Sequence, residues 1–287
     1  MTSKQKFFGL VLLALTLLIA IAAYKTEPEV DQVPEVTIED IEIVATSSQA
    51  VIGTSVENRD IETFIFGTGK KNILFVGGIH GGYEANSVRL AEAMIEEFQL
   101  YPELIPEDIT VHIIPVLNPD GYAKALDPVA NYSDAAKRFN ANGVDLNRNF
   151  DCRWAPESSW RGAVVDAGTN IFSEPEAIAL RDYVSEINPS ATVFWHSMAG
   201  NVYGSECGGG VSEETLALVN TYAEAGNYGA VPVFDAYTVT GAAEDWLASL
   251  GIPAVTVELE TRESIEWERN KAGTLAVLEL YNESLTR

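Results

Sequence analysis

The chain has 287 residues, 47% of them hydrophobic, with 42 acidic against 18 basic side chains and a net charge of −24. That length can bury a substantial core in one large domain or two small ones. The acidity excludes a nucleic-acid-binding protein, because no basic stripe is available to neutralise phosphates.

Lys4 and Lys6 precede an uncharged run, residues 7–23, that ends in small residues. Residues 1–24 are therefore expected to be a signal peptide or an N-terminal membrane anchor, and the two readings stay open. Both place the rest of the chain outside the cytoplasm, secreted, periplasmic or anchored through residues 7–23 to the outer face of the membrane. Residues 25–40 carry Pro28, Pro34 and six acids, which suits an extended acidic linker. The compact domain is expected over residues 41–287, active on synthesis because the linker leaves no room for a long pro-segment.

Within that domain, residues 61–66 alternate like a strand, and residues 72–76 form a short apolar run, consistent with a central strand. The glycine-rich stretch 77–82 breaks it. Residues 84–100 read as a helix with Val88, Ala91, Met94, Ile95 and Phe98 on one side. Residues 109–117 read as a strand with His112 inside it, a structural histidine, and residues 118–121 (NPDG) as a turn. A helix opens at Ser173-Glu174-Pro175-Glu176, where Ser173 and Glu176 can form a capping box. Residues 191–195 form a strand ending in His196. Helices follow at 213–226 and 242–250, a last strand at 254–259 and a closing helix at 273–285. Strands alternating with helices predict one α/β domain with helices on both faces of the sheet.

The densest polar stretch is 140–150, NANGVDLNRNF, with Arg138 just ahead of it. Asp145, Asn147 and Arg148 are poor material for a core strand, where each would need a buried partner. A guanidinium fork beside an amide instead suits a carboxylate; the plainer reading is a solvated loop in which Arg148 pairs with Asp145. His80 lies past a strand end with Glu84 four residues on, and His196 ends another strand. If those strand ends share an edge, two imidazoles and a carboxylate would hold a tetrahedral zinc with one position open.

Taken in order, His80 with Glu84, NPDG at 118–121, Arg138, GVDLNRNF at 143–150, His196, Tyr237 with Gly241, and Glu258 within VELET resemble the zinc metallocarboxypeptidases of the pancreatic carboxypeptidase A type. The resemblance runs from about Ser55 to the C-terminus. It implies a single α/β domain with a mixed, mostly parallel, eight-stranded sheet, and one Zn2+ held by His80, Glu84 and His196. The family usually sets the first histidine and its glutamate three apart; here the gap is four. The resemblance further implies Glu258 as general base (Glu260 being its nearest rival) and Arg138 as oxyanion partner. Asn147 and Arg148 would be the receptor for a peptide's free C-terminal carboxylate, and Tyr237 the tyrosine that closes over substrate. Asp145 would orient His80 through its other ring nitrogen.

Counted along the pattern of the resembled family from Tyr237, Glu244 would fall on the floor of the terminal side-chain pocket, where an acid favours Lys, Arg or the amine of diaminopimelate; Glu244-Asp245 can equally start an exposed helix. Cys152 and Cys207 are either bridged, tying two site-forming loops together, or two free thiols. The expected function is an exported zinc carboxypeptidase acting on peptides or cell-wall stem peptides, as a monomer. A zinc deacylase of the aspartoacylase or succinylglutamate desuccinylase type is the alternative, and a surface binding module without activity a third.

Overall fold

In the computed structural model, residues 47–283 are described. The targeting segment, the acidic linker and the domain's expected start at residue 41 lie outside them. The elements run β1 (Ser47–Thr54), β2 (Asp60–Phe66), β3 (Lys71–Val76), α1 (Ala85–Leu100), β4 (Ile109–Ile114), α2 (Pro119–Leu126), α3 (Asp134–Arg138), β5 (Glu157–Trp160), β6 (Ala163–Asp166) and α4 (Pro175–Ile187). Then follow β7 (Ala191–Ser197), β8 (Asn201–Gly204), α5 (Glu213–Gly226), β9 (Gly229–Val231), α6 (Ala243–Ser249), β10 (Ala254–Leu259) and α7 (Trp267–Glu283).

Eight strands form one mixed sheet in the order β1-β2-β4-β3-β7-β10-β8-β9, and β5 pairs with β6 in a separate hairpin. The middle four strands, β4, β3, β7 and β10, are parallel. Their residues alternate between two cores, as a sheet covered on both faces requires. Ile73, Phe75, Val193, Trp195, Val255 and Val257 pack with α1, α5 and α7. Leu74, Val76, Phe194 and Ala254 pack with α4, α6 and the buried Leu146, Phe150 and Cys152. Trp195 is wholly buried, and its indole nitrogen donates to the Tyr222 hydroxyl at 3.0 Å. Truncating such a side chain to alanine costs about 3–5 kcal/mol.

The expected single α/β domain with a mixed eight-stranded sheet is the one found. Four details differ. Asn118-Pro119-Asp120-Gly121 begins α2 instead of making an isolated turn: Asn118 caps it by accepting from the Gly121 N–H at 2.9 Å, and Pro119 stands in its first turn. No capping box forms at α4, because Glu176 is taken by the Asn140 amide and the Val56 N–H, and Ser173 by Glu174. β4 stops at Ile114, ahead of Pro115. The closing helix starts at Trp267, so Gly273 lies inside it; there it faces the Tyr222 ring, where an added Cβ would come within 2.6 Å.

Candidate active site

The parallel strands deliver their C-terminal ends to one edge of the sheet, and the ends of β7 and β10 carry polar side chains. β7 and β10 pair with His196 opposite Glu258. By the two-residue alternation both point to the face of Phe194 and Ala254. β3 ends at Val76 and the chain turns through Gly77 and Gly78 to His80. A single 3-10 turn, Gly81–Glu84, follows, with Gly81 at φ +47°. A Cβ on Gly81 would lie 2.8 Å from the Gly121 backbone and the Lys137 carbonyl, so only glycine passes. This tight turn takes up the extra residue between His80 and Glu84. One ligand atom from each of His80, Glu84 and His196 lies within 4.8 Å of the others, and all three residues are buried.

The cluster gathers buried carboxylates and imidazoles in one place. Burial, and next the charge of Arg138, push the His80 pKa well below its ordinary value, leaving the neutral imidazole that donates a lone pair. Burial works the same way on His196, but bonds to Glu244 (3.0 Å, at Nε2) and Glu84 (3.1 Å, at Nδ1) outweigh it and push the pKa up to about 10. Burial and the neighbouring Glu84 charge raise Glu258 to about 7. His80 Nδ1, Asp145 Oδ1 and Glu258 Oε2 are buried without a hydrogen-bond partner. Two imidazoles and a carboxylate converging where positive charge is wanted fit zinc.

Asp145 stands 3.6 Å from His80 Nδ1 and accepts from Arg138 Nε at 2.9 Å. Arg138 also reaches Glu84, Nη1 to Oε1 at 3.6 Å, and lies 4.7 Å from the Trp160 ring centre. The Asp145–Arg148 pair of the plainer reading is therefore absent, since Asp145 serves Arg138 and His80. Asn147 accepts from the Ala243 N–H at 2.8 Å and points its amide at Glu244, 3.4 Å away. Arg148 is buried, donates to the carbonyls of Asn147 and Ser159, and forms no ion pair among the described residues. Asn140 and Asn149, from the same polar stretch, instead brace loops through Glu174, Glu176, Ala167 and Asn170.

His80, Glu84, His196, Arg138, Asn147 and Arg148 line a cleft of about 760 Å3 together with Glu258, Tyr237 and Glu244. Tyr237 is half-buried on the irregular stretch between β9 and α6, edge-on to Phe234 at 4.9 Å. Glu244 is not on an exposed helix start: it is buried, and its Oε1 takes bonds from His196, Asn147 and Thr256. Cys152 and Cys207 form a disulfide with Cα atoms 5.8 Å apart. The cleft also holds Tyr83, Trp160, Arg161 and Arg262, which the sequence reading missed. For Arg161 a signal existed: Arg161-Gly162, both at positive φ, is a two-residue hairpin loop between β5 and β6. Arg262 carries no such mark.

The zinc carboxypeptidase family profile matches residues 42–271. The chain belongs to the zinc carboxypeptidase family. Among its relatives, the human carboxypeptidase N catalytic chain is 37% identical over 114 residues, 34% of this chain and 25% of that one. This match thus spans about a quarter of that relative's length. Murein peptide amidase A of Escherichia coli K12 is 28% identical over 199 residues, 64% of this chain and 69% of the relative. In fold, the chain superposes on bovine thrombin-activatable fibrinolysis inhibitor, solved with a tick carboxypeptidase inhibitor, with a TM-score of 0.69. Sequence identity there is 21%, over 84% of this chain and 91% of that one. One zinc is the family's cofactor, and the His80–Glu84–His196 cluster fits it.

Proposed function

We propose that this chain is an exported, monomeric carboxypeptidase that removes the C-terminal residue of peptides. The observation that carries the reading is Arg148: a buried guanidinium, held by carbonyls alone, in the cleft that contains the metal cluster. A buried cation without a counter-ion is costly unless a ligand supplies the charge. A planar fork beside the Asn147 amide matches a terminal carboxylate, and gripping that carboxylate fixes the bond to be cut one residue in from the end.

Zinc, when bound, supplies a Lewis acid and a water whose pKa falls to about 7. The chain's own residues do the rest. Glu258, beside His196 in register and with an unpartnered oxygen, accepts the proton of the attacking water. Arg138, fixed by Asp145 and stacked on Trp160, offers its remaining donors to the oxygen that becomes negative. Tyr237 covers the substrate from its irregular segment. Glu244 has two tasks: it holds His196 and presents an acid to the terminal side-chain pocket, which favours a basic group.

The likeness to murein peptide amidase A supports a cell-wall stem peptide as one substrate class. The disulfide supports an oxidising compartment and so export, through a cleaved signal or a retained anchor. A peptide panel assayed with and without chelator tests the assignment. Release of single C-terminal amino acids, stopped by chelator and absent from amidated peptides, is expected. A zinc-loaded chain that frees no terminal residue from any peptide would reject it in favour of deacylation.

A further inference from the structure

Three guanidinium groups surround one phenol on the cleft wall. Arg161 Nη1 lies 3.1 Å from the Tyr83 hydroxyl, and Arg262 Nη2 bonds to the same oxygen. The Arg262 guanidinium lies over the Tyr83 ring at 3.9 Å, with that of Arg138 5.8 Å from the same ring. Arg138 has Asp145 and Glu84 for company. Arg161 and Arg262 enter no ion pair among the described residues, and Arg262 Nε is buried without a partner. Carboxylates outnumber basic groups 42 to 18 in this chain. Two adjacent arginines on the cleft wall, neither paired with any of its carboxylates, are held in a mutually repulsive arrangement, which an anion would relieve.

The contacts also fix where that anion sits. His196 separates the two ends of the cleft: its Nε2 faces Glu244, which leads to Asn147 and Arg148, and its Nδ1 faces Glu84, adjacent in the chain to Tyr83. With the terminal carboxylate at Arg148, the residue on the other side of the bond to be cut extends toward Tyr83. We propose that Arg161 and Arg262, arranged around Tyr83, form a subsite for the side-chain carboxylate of an Asp or Glu preceding the scissile bond. The inference rests on the carboxypeptidase reading, and it makes the preferred substrate a peptide with two carboxylates, one at each end of the cleft.

The test is a pair of peptides blocked at the N-terminus and free at the C-terminus, identical except for Glu or Gln at the penultimate position, with a third carrying Asp. The zinc-loaded chain should show kcat/KM for the Glu peptide on the order of tenfold above the Gln peptide, and the ratio should fall to about one in Arg161→Gln/Arg262→Gln. Arg161→Gln alone, at an exposed hairpin tip, should lower the ratio in part, which keeps the test usable if the double variant does not fold. Calorimetric binding of the same peptides to zinc-loaded Glu258→Gln gives a readout free of turnover. Equal binding of the Glu and Gln peptides overturns the subsite. Tighter binding of the Glu peptide without cleavage of any peptide by the parent chain retains the subsite and rejects the carboxypeptidase assignment.

Discussion

At the scale of single residues, stability and binding make opposite demands on Arg148. Its buried charge has no counter-ion among the described residues, so replacing it removes a desolvation cost along with the proposed carboxylate receptor. Arg148→Met should lower kcat/KM for free-acid peptides about 100-fold, the loss of charge-assisted bonds totalling roughly 3 kcal/mol. Its Tm should stay level or rise. A variant that unfolds more easily yet still prefers free-acid over amidated peptides would mark Arg148 as a scaffold residue. Glu244 is tested by Glu244→Leu: the preference for a terminal Lys over Leu should reverse, whereas an unchanged preference would leave Glu244 only the task of holding His196. His112 is the structural counterpart. Its ring is fixed between the Tyr183 hydroxyl (2.7 Å) and Asn72 Oδ1 (3.0 Å), and burial lowers its pKa to about 4. The folded value lies below the ordinary 6.5, so the neutral ring contributes stability that is present above pH 6.5 and lost as pH falls toward 4. Between pH 7.5 and 4.5 the unfolding free energy of the parent chain should fall by about 2 to 3 kcal/mol more than that of His112→Gln. Equal falls in urea titrations would dismiss the contribution.

At the scale of elements, what was legible in the sequence is what local pattern encodes. β10 and α5 were read at their observed limits, because an apolar run between turns and an amphipathic helix after Ser212 are self-contained signals. The start of α2 was missed because Asn-Pro-Asp-Gly is turn chemistry and helix-start chemistry alike. The short strands β8 and β9, four and three residues long, have no periodicity to read and exist because β10 offers them an edge. In the site, the strand-end residues His196 and Glu258 were accessible to pattern, but the clustering of Tyr83, Arg161 and Arg262 depends on the β5–β6 hairpin reaching over the cleft. No sequence spacing encodes that. The disulfide acts at this scale too. It joins Cys152, just past the Arg148 segment, to Cys207 after β8, across 55 residues. Beside it Arg153 pairs with Glu206 at 2.6 Å and Asp245 at 2.9 Å. Closing a loop of that length restrains the unfolded chain by about 4 kcal/mol in the entropic account. Cys152→Ser/Cys207→Ser should lose most of that in urea denaturation. Because the bridge anchors the cleft's rim, kcat/KM should fall as well; a full retention of both would leave the bridge without a role.

At the scale of the whole molecule, the charge is unevenly divided. The chain carries −24 overall, yet five of its ten arginines, Arg138, Arg148, Arg153, Arg161 and Arg262, line one cleft. A uniformly acidic body repels itself when folded and repels acidic peptides; the cleft sets its five guanidiniums among six carboxylates, so the attraction for an incoming carboxylate is local to Arg148, Arg161 and Arg262, which enter no ion pair among the described residues. Salt separates the two effects, since the screening length shrinks from about 30 Å at 0.01 M to about 8 Å at 0.15 M. Raising NaCl across that range should relieve the repulsion of the folded body and raise Tm by a few degrees, roughly 1 kcal/mol for a domain of this size. Over the same range kcat/KM for a peptide with a penultimate Glu should fall, because screening weakens its attraction to the cleft. If the net charge governed both properties, both would rise together with salt. Opposite signs, measured on one preparation by thermal denaturation and steady-state kinetics, are the signature of a cationic site set in an anionic protein. A salt-insensitive rate with a rising Tm would instead mean that the charges of Arg148, Arg161 and Arg262 are offset by the carboxylates that share the cleft.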